Sequence, residues 1–326
     1  MNFALSEQQD AFVDVAGEFA REQLAPNAAT WDEQKIFPVD TLRAAGQLGF
    51  CGMYCPADVG GTGLTRLDAA LILEELAQGC TSTAAYLSIH NMAAWMVAKW
   101  GTEQVRRDWA GELAAGTKLA SYCLTEANAG SDAASLVTMA RRDGEDYVLN
   151  GAKAFISGAG DTDVLVVMAR TGADGPGGIS AFVVPGDAAG LTYGKNETKM
   201  GWNSQPTRAI SFENVRVPLH CLLGAQGDGF SIAMQGLEGG RINIAACSLG
   251  AAQVTLDMTQ RYLSERKQFG QVLADFQALQ FRLADMATEL VAARQMVYKA
   301  AWALDFNHPE KTAYCAMAKR FATDVG

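Results

Sequence analysis

The stretch Tyr122-Cys123-Leu124-Thr125-Glu126-Ala127-Asn128-Ala129-Gly130-Ser131-Asp132 gathers the residue types that hold a ligand by its polar edges. Two hydroxyls, small residues and a glycine let backbone N–H groups approach a bound molecule closely. Taken alone, the stretch reads first as a polar turn between domains. Phe155, Ile156 and Ser157 end an alternating apolar run, by itself a strand packing a core. Gly239 and Gly240 precede Arg241 inside a helical pattern. Two glycines inside a helix cost about 2 kcal/mol relative to alanine. Close approach of a ligand and tight helix packing explain them equally well. Arg266, in Glu265-Arg266-Lys267-Gln268-Phe269-Gly270, carries a planar guanidinium suited to bidentate phosphate binding. Alone, it is an exposed basic helix end favoured by the dipole.

Other chemistries find no support. Gly60-Gly61-Thr62-Gly63 does not follow a strand and does not complete a dinucleotide fingerprint. No phosphate-binding loop or nucleophile elbow occurs. The seven cysteines include no C-x-x-C pair and read as buried reduced thiols. The three histidines, His90, His220 and His308, have no metal-ligand spacing. A net charge of −10 argues against nucleic acid and anionic membranes as partners. No apolar stretch reaches the ~20 residues that span a bilayer, so no membrane insertion is expected. The N-terminal stretch is acidic and amphipathic, and reads as the first helix of a cytoplasmic bacterial protein.

The elements that must position these residues fall into three blocks of an α+β fold. Residues 1–119 are expected to form a helical N-terminal domain. Ser6 and Gln9 fit a capping box, and Phe12, Val15, Ala16, Phe19 and Ala20 form an apolar face. Asp40 is expected to cap a helix through Leu48, with further helices over 66–79, 82–99 and from Thr102 to near Gly116. Residues 120–225 are expected to form a central antiparallel β domain. Asn150-Gly151, between apolar runs, predicts a hairpin turn. Strands are expected at 163–169, 179–185 and 208–213. Residues 226–326 are expected to form an incomplete C-terminal helical bundle. One long helix carries Phe230, Met234, Leu237, Ile244, Leu249, Ala252 and Leu256. A second carries Leu279, Leu283, Met286, Leu290, Ala293, Val297, Ala300 and Leu304. Pro309 opens a third, with Met317 and Phe321 inward. A four-helix bundle needs one more helix, so further sequence or a partner is expected to cover these stripes.

Residues 122–132 resemble, position for position, the first signature of the acyl-CoA dehydrogenase family. The block order agrees along the whole chain. Lys153–Gly160, Gly201–Arg208 and Gly239–Ala245 resemble the isobutyryl-CoA dehydrogenases within that family. The resemblance implies FAD as cofactor, an acyl-CoA substrate, electron-transfer flavoprotein as oxidant and a homotetramer. It implies a flavin site at Tyr122, Cys123, Leu124, Thr125, Glu126, Ala129, Gly130 and Ser131. Thr125 would bond the isoalloxazine edge and Ser131 the pantetheine. Phe155, where many relatives carry Trp, would stack on the ring. Ile156 would lie beside it, and Ser157, where relatives often carry Thr, would bond near N5. Arg266, Phe276 and Gln277 would reach the FAD diphosphate across a subunit interface. Glu238, Gly239, Gly240 and Arg241 would line the acyl-CoA; at Glu238 the relatives carry Asn.

The implied reaction is oxidation of isobutyryl-CoA to methacrylyl-CoA in valine catabolism. It needs a carboxylate base for the weakly acidic α-proton. The resemblance implies a Glu beyond residue 326, so the chain as given is expected to be inactive and to hold no catalytic base. Some relatives place that Glu on the long helix, where Gly240 stands here. Alternatives are a flavin oxidase on the same fold and a non-catalytic FAD-binding protein.

Overall fold

The computed structural model describes residues 4–326. Met1–Phe3, the start of the stretch expected to form the first helix, lie outside the described residues. Helix α1 (Glu7–Phe19) begins with the expected capping box: Gln9 N donates to Ser6 Oγ, and Ser6 N donates back to Gln9 Oε1. Ala16, Phe19 and Ala20 are buried, but Val15 falls beside the stripe and is 43% exposed. Helices α2 (Ala28–Gln34) and α3 (Val39–Gln47) follow. Asp40 does not cap α3. Pro38 holds the cap position, and Asp40 sits in the first turn, 3.3 Å from Arg43. Proline lacks the N–H a helix start would leave unpaired, so it suits that entry. Helices α4 (Arg66–Gly79) and α5 (Thr81–Trp100) match their expected spans. The next helical segment is α6 (Glu103–Val105), capped by Thr102, a π-helical turn, and α7 (Gly111–Ala114).

The central strands are β1 (Ala120–Cys123), β2 (Met139–Asp143), β3 (Asp146–Ser157), β4 (Val164–Arg170), β5 (Ile179–Pro185), β6 (Leu191–Tyr193), β7 (Thr207–Pro218) and β8 (Leu222–Leu223). They form one sheet in the order β6-β7-β3-β2-β4-β5-β8, with β1 against β4. The sheet is mixed rather than antiparallel. β1 runs parallel to β4, from Ala120↔Val164 to Cys123↔Val167, and β2 meets β4 parallel at one pair. The intervening β2–β3 hairpin gives the chain the length that a parallel return requires. The hairpin turn lies at Gly144-Glu145, not at Asn150-Gly151. Asn150 and Gly151 sit inside β3, at a bulge against β7. A Cβ on Gly151 would lie 2.6 Å from Thr138 Oγ1, so this glycine answers a close approach rather than a turn. Strands β4 and β5 are buried on both faces, their alternate residues entering two separate cores.

Helix α8 (Gly229–Glu265) is followed by a small hairpin, β9 (Lys267–Gln268) and β10 (Gln271–Val272), then α9 (Gln277–Asp305) and α10 (Lys311–Val325). The chain forms two compact units. One comprises the chain up to Ala28, Thr65–Ala85 and Arg241–Gly326; the other comprises Ala29–Leu64 and Tyr86–Gly240. Within the first, α4 supplies part of the cover expected for the α9 stripe. Glu74 accepts from Arg294 Nε at 2.7 Å and from Tyr298 Oη at 3.1 Å. Asp305 accepts the N–H groups of Arg66 and Leu67, which open α4. Leu290, Ala293, Val297 and Ala300 are buried, while Met286, a turn earlier, is 37% exposed. On α10 the inward residues are Cys315, Ala318 and Ala322; Met317 is 54% exposed and Phe321 half-buried. Small residues at that seam let the backbones approach. Among the described residues, no helix is long and apolar enough to cross a membrane.

Candidate active site

The expected loop and strand end are brought together. Residues 121–126 run beside 153–157, in the unit spanning Tyr86–Gly240. Ser121 Oγ donates to Ser157 O at 2.6 Å, Ala154 N to Thr125 O at 2.9 Å, and Lys153 Nζ to Leu124 O at 3.1 Å. The ties therefore run along the whole contact between loop and strand. At its centre is a buried ion pair, Lys153 Nζ to Glu126 Oε1 at 2.7 Å, with the two side chains 0% and 6% exposed. Glu126 also accepts the N–H groups of Val137 and Thr138 at 2.7 and 2.9 Å. Burial alone would push its carboxyl up; the Lys153 ammonium and these hydrogen bonds outweigh that and hold it below the usual carboxylate range.

The bulge between Lys153 and Ile156 turns Phe155 out of the sheet. Phe155 is 65% exposed and its φ is +58°, in the left-handed region that a bulky side chain rarely adopts. Strain of this kind persists only where the surroundings impose it, and it gathers at ligand sites. Around this aromatic plate, Thr125 and Ser157 are half-buried, and Gly130 and Ser131 are exposed. A Cβ on Gly130 would meet nothing within 4 Å, so packing does not require the glycine there. The Tyr122 hydroxyl is buried with no partner among the described residues, and burial raises its pKa.

Other expected site residues face elsewhere. Cys123, Leu124, Ala129 and Ile156 are buried, and Cys123 and Ile156 pack into one of the two cores. These residues have backbone rather than side chains to offer a ligand. Glu126 is turned inward onto Lys153, a partner that sequence reasoning missed. Nothing local signals this pair, because the two residues lie on different elements.

On α8, close packing demands glycine elsewhere than at 239–240: a Cβ on Gly229 would lie 2.3 Å from the Ser180 carbonyl carbon, and one on Gly236 would lie 2.0 Å from Met96 Cε. At Gly240 the nearest atom would be Met92 Sδ at 3.5 Å, an ordinary contact. Tight packing therefore does not require a glycine at Gly240. Glu238 and Arg241 are half-buried, and Gly239 is buried.

In the other unit, the β9–β10 hairpin brings Arg266 back toward the start of α9, with Leu273 N donating to Arg266 O at 2.8 Å. Arg266 and Gln277 are exposed, and Phe276 meets Phe269 edge-on at 6.2 Å. Phe269 is 92% exposed.

The buried histidine is structural. His90 Nε2 lies 2.9 Å from Leu113 O, and its Nδ1 accepts from Ala120 N at 3.1 Å. Burial pulls its pKa down to about 4. All seven cysteines are buried, and burial pushes Cys51, Cys123 and Cys247 up to about 12. Among the described residues, no cluster of His, Cys, Asp and Glu could hold a metal ion.

Profiles of the acyl-CoA dehydrogenase N-terminal, middle and C-terminal domains match residues 6–117, 121–215 and 227–326. Isobutyryl-CoA dehydrogenase of Bos taurus is 54% identical over 323 residues, covering 99% of this chain and 78% of the bovine protein. The chain belongs to the acyl-CoA dehydrogenase family. Isobutyryl-CoA dehydrogenase of Dictyostelium discoideum is 53% identical, over 98% of this chain and 77% of that protein. Butyryl-CoA dehydrogenase of Megasphaera elsdenii superposes with a TM-score of 0.96 at 38% identity, over 100% of this chain and 86% of that one. As a member of this family, the protein is an acyl-CoA dehydrogenase by class, a flavoprotein oxidoreductase.

Proposed function

We propose that this acyl-CoA dehydrogenase binds FAD between the 122–131 loop and the Phe155 bulge and acts on isobutyryl-CoA, forming methacrylyl-CoA in valine catabolism. One observation carries the reading: the ties between 121–126 and 153–157 set two hydroxyls, Thr125 and Ser157, beside an exposed aromatic ring held in a strained conformation. That donor set fits a flavin. Fixed donors at a ring edge favour reduction, which places negative charge there, and an apolar ring covers a flavin face. FAD, when bound, supplies the hydride acceptor.

In this reading Thr125 and Ser157 hold the ring edge, Phe155 covers a face, and Ser131 orients the pantetheine. Gly239 and Gly240 admit the thioester, with Glu238 and Arg241 near it. Glu126 is not the base, because its carboxylate is committed to Lys153 and two backbone donors; no base is assigned among the described residues. Arg266, Phe276 and Gln277 serve the diphosphate of a neighbouring subunit's FAD in a homotetramer. The exposure of Arg266 and Gln277 beside Phe269 supports that role. Electron-transfer flavoprotein is the proposed oxidant.

The identity to isobutyryl-CoA dehydrogenases supports the branched substrate. The test is to load the protein with FAD and titrate isobutyryl-, 2-methylbutyryl- and butyryl-CoA while following the flavin's visible band. Isobutyryl-CoA is expected to perturb the band at the lowest concentration. One methylene is worth about 1–3 kcal/mol, so the margin should be measurable. Tighter binding of butyryl-CoA would overturn the substrate assignment, and failure to take up FAD would overturn the whole reading.

A further inference from the structure

We propose that Lys153 and Glu126 are positioning residues: their buried ion pair locks the 124–126 loop onto the strand bulge that presents Phe155, and so sets the geometry of the flavin face. The inference rests on the flavin site proposed above.

The geometry argues for a lock rather than a stray pair. Lys153 is among the largest fully buried side chains, an unusual place for an ammonium. Its Nζ spans two targets on the loop, Leu124 O at 3.1 Å and Glu126 Oε1 at 2.7 Å. Glu126 in turn reaches forward to Val137 N and Thr138 N, where the chain leaves the loop for β2. The loop is thus pinned at both its entry and its exit. On the strand side, Lys153 pairs with Ile210, and the register then slips so that Ile156 pairs with Arg208. Phe155 lies within that slip, at φ +58°. Burying an ion pair seldom adds stability over apolar residues of similar volume. A pair buried at this position is therefore better explained by what it orients. Between its anchors lies Thr125, whose carbonyl is held by Ala154 N at 2.9 Å.

The test separates orientation from stability. Lys153→Met combined with Glu126→Gln removes both charges, so no buried charge is left unpaired, and the remaining amide oxygen can serve one of the two backbone donors, Val137 N or Thr138 N. Lys153→Met alone is the harsher comparison. For each variant and the wild type, three quantities are measured: melting of the apoprotein, the FAD dissociation constant, and the visible circular dichroism of the bound flavin. The double variant is expected to melt above Lys153→Met, which leaves the Glu126 carboxylate buried without its counter-charge. It should bind FAD at least about tenfold more weakly and change the dichroism, because small displacements of positioning groups carry large costs. If the double variant binds FAD with wild-type affinity and dichroism, the pair only supports folding and the inference is overturned. If the double variant melts well below wild type while Lys153→Met retains full FAD affinity, it is likewise overturned. If the wild type itself binds no FAD, the site reading fails, and this inference with it.

Discussion

The 122–131 loop is proposed to hold this subunit's FAD and the stretch around Arg266 a neighbouring subunit's, and the two regions are built in opposite ways. The loop is held from within. Its carbonyls, its one buried carboxylate and its neighbouring strand are joined by short hydrogen bonds and an ion pair. Arg266, Phe269 and Gln277 instead stand exposed at the base and tip of a hairpin and at a helix start. Pre-organisation of the first region means that ligand binding need not order it; the second gains its partners only from outside. Mutations should therefore divide. In the loop, a change that leaves a buried charge unpaired should disturb folding and binding together, and at the hairpin a change should disturb binding or assembly alone.

The largest effect is expected at the ion pair. Glu126→Ala leaves the Lys153 ammonium buried without its counter-charge, and chemical denaturation should show a loss of about 3–5 kcal/mol. Next comes His90, which joins α5 to Leu113 and to the start of β1. Its pKa is about 4 in the folded protein against an ordinary 6.5. Between those values the unfolded chain binds the additional proton, so stability is present above pH 6.5 and is lost as the pH falls toward 4. The loss should be about 3 kcal/mol from this residue, and unfolding midpoints measured across that range should show it. His90→Gln should flatten that part of the profile.

Phe155→Gly should act in two opposed directions. Relief of the left-handed backbone should raise apoprotein stability by about 1 kcal/mol, while FAD binds more weakly. Calorimetry and flavin titration on the same sample check both. The smallest effect on folding is expected at Arg266→Ala, within about 0.5 kcal/mol of wild type. FAD retention or assembly, read by gel filtration and flavin content, should fall there without a change in melting.

Much of the fold is legible in the sequence, and the misses share a cause. The polar stretch at 122–132, the strand end at Phe155 and the long helices follow from local composition and periodicity; that the stretch is a flavin signature follows only from the resemblance. The capping box at Ser6 and Gln9 is equally local. What escapes depends on elements that meet only in the folded chain. Asn150-Gly151 carries the strongest short turn signal, yet Thr138 packs against it and the glycine serves a bulge inside β3. The stripe of α9 suggests a missing helix, but α4, more than 200 residues earlier, covers part of it through Glu74, Arg294 and Asp305. In sequence Lys153 is one polar residue in a strand, and only its partner 27 positions away explains its burial. Resemblance alone points Phe155 toward a ligand; its φ of +58° adds a physical reason that no sequence pattern contains.

Hydrogen exchange of the protein with and without FAD tests the central claim most directly. If the loop and the bulge jointly hold the isoalloxazine, backbone amides in 122–131 and 153–157 should gain protection together when FAD is added. Uptake of FAD with protection elsewhere, and none in these two segments, would contradict it.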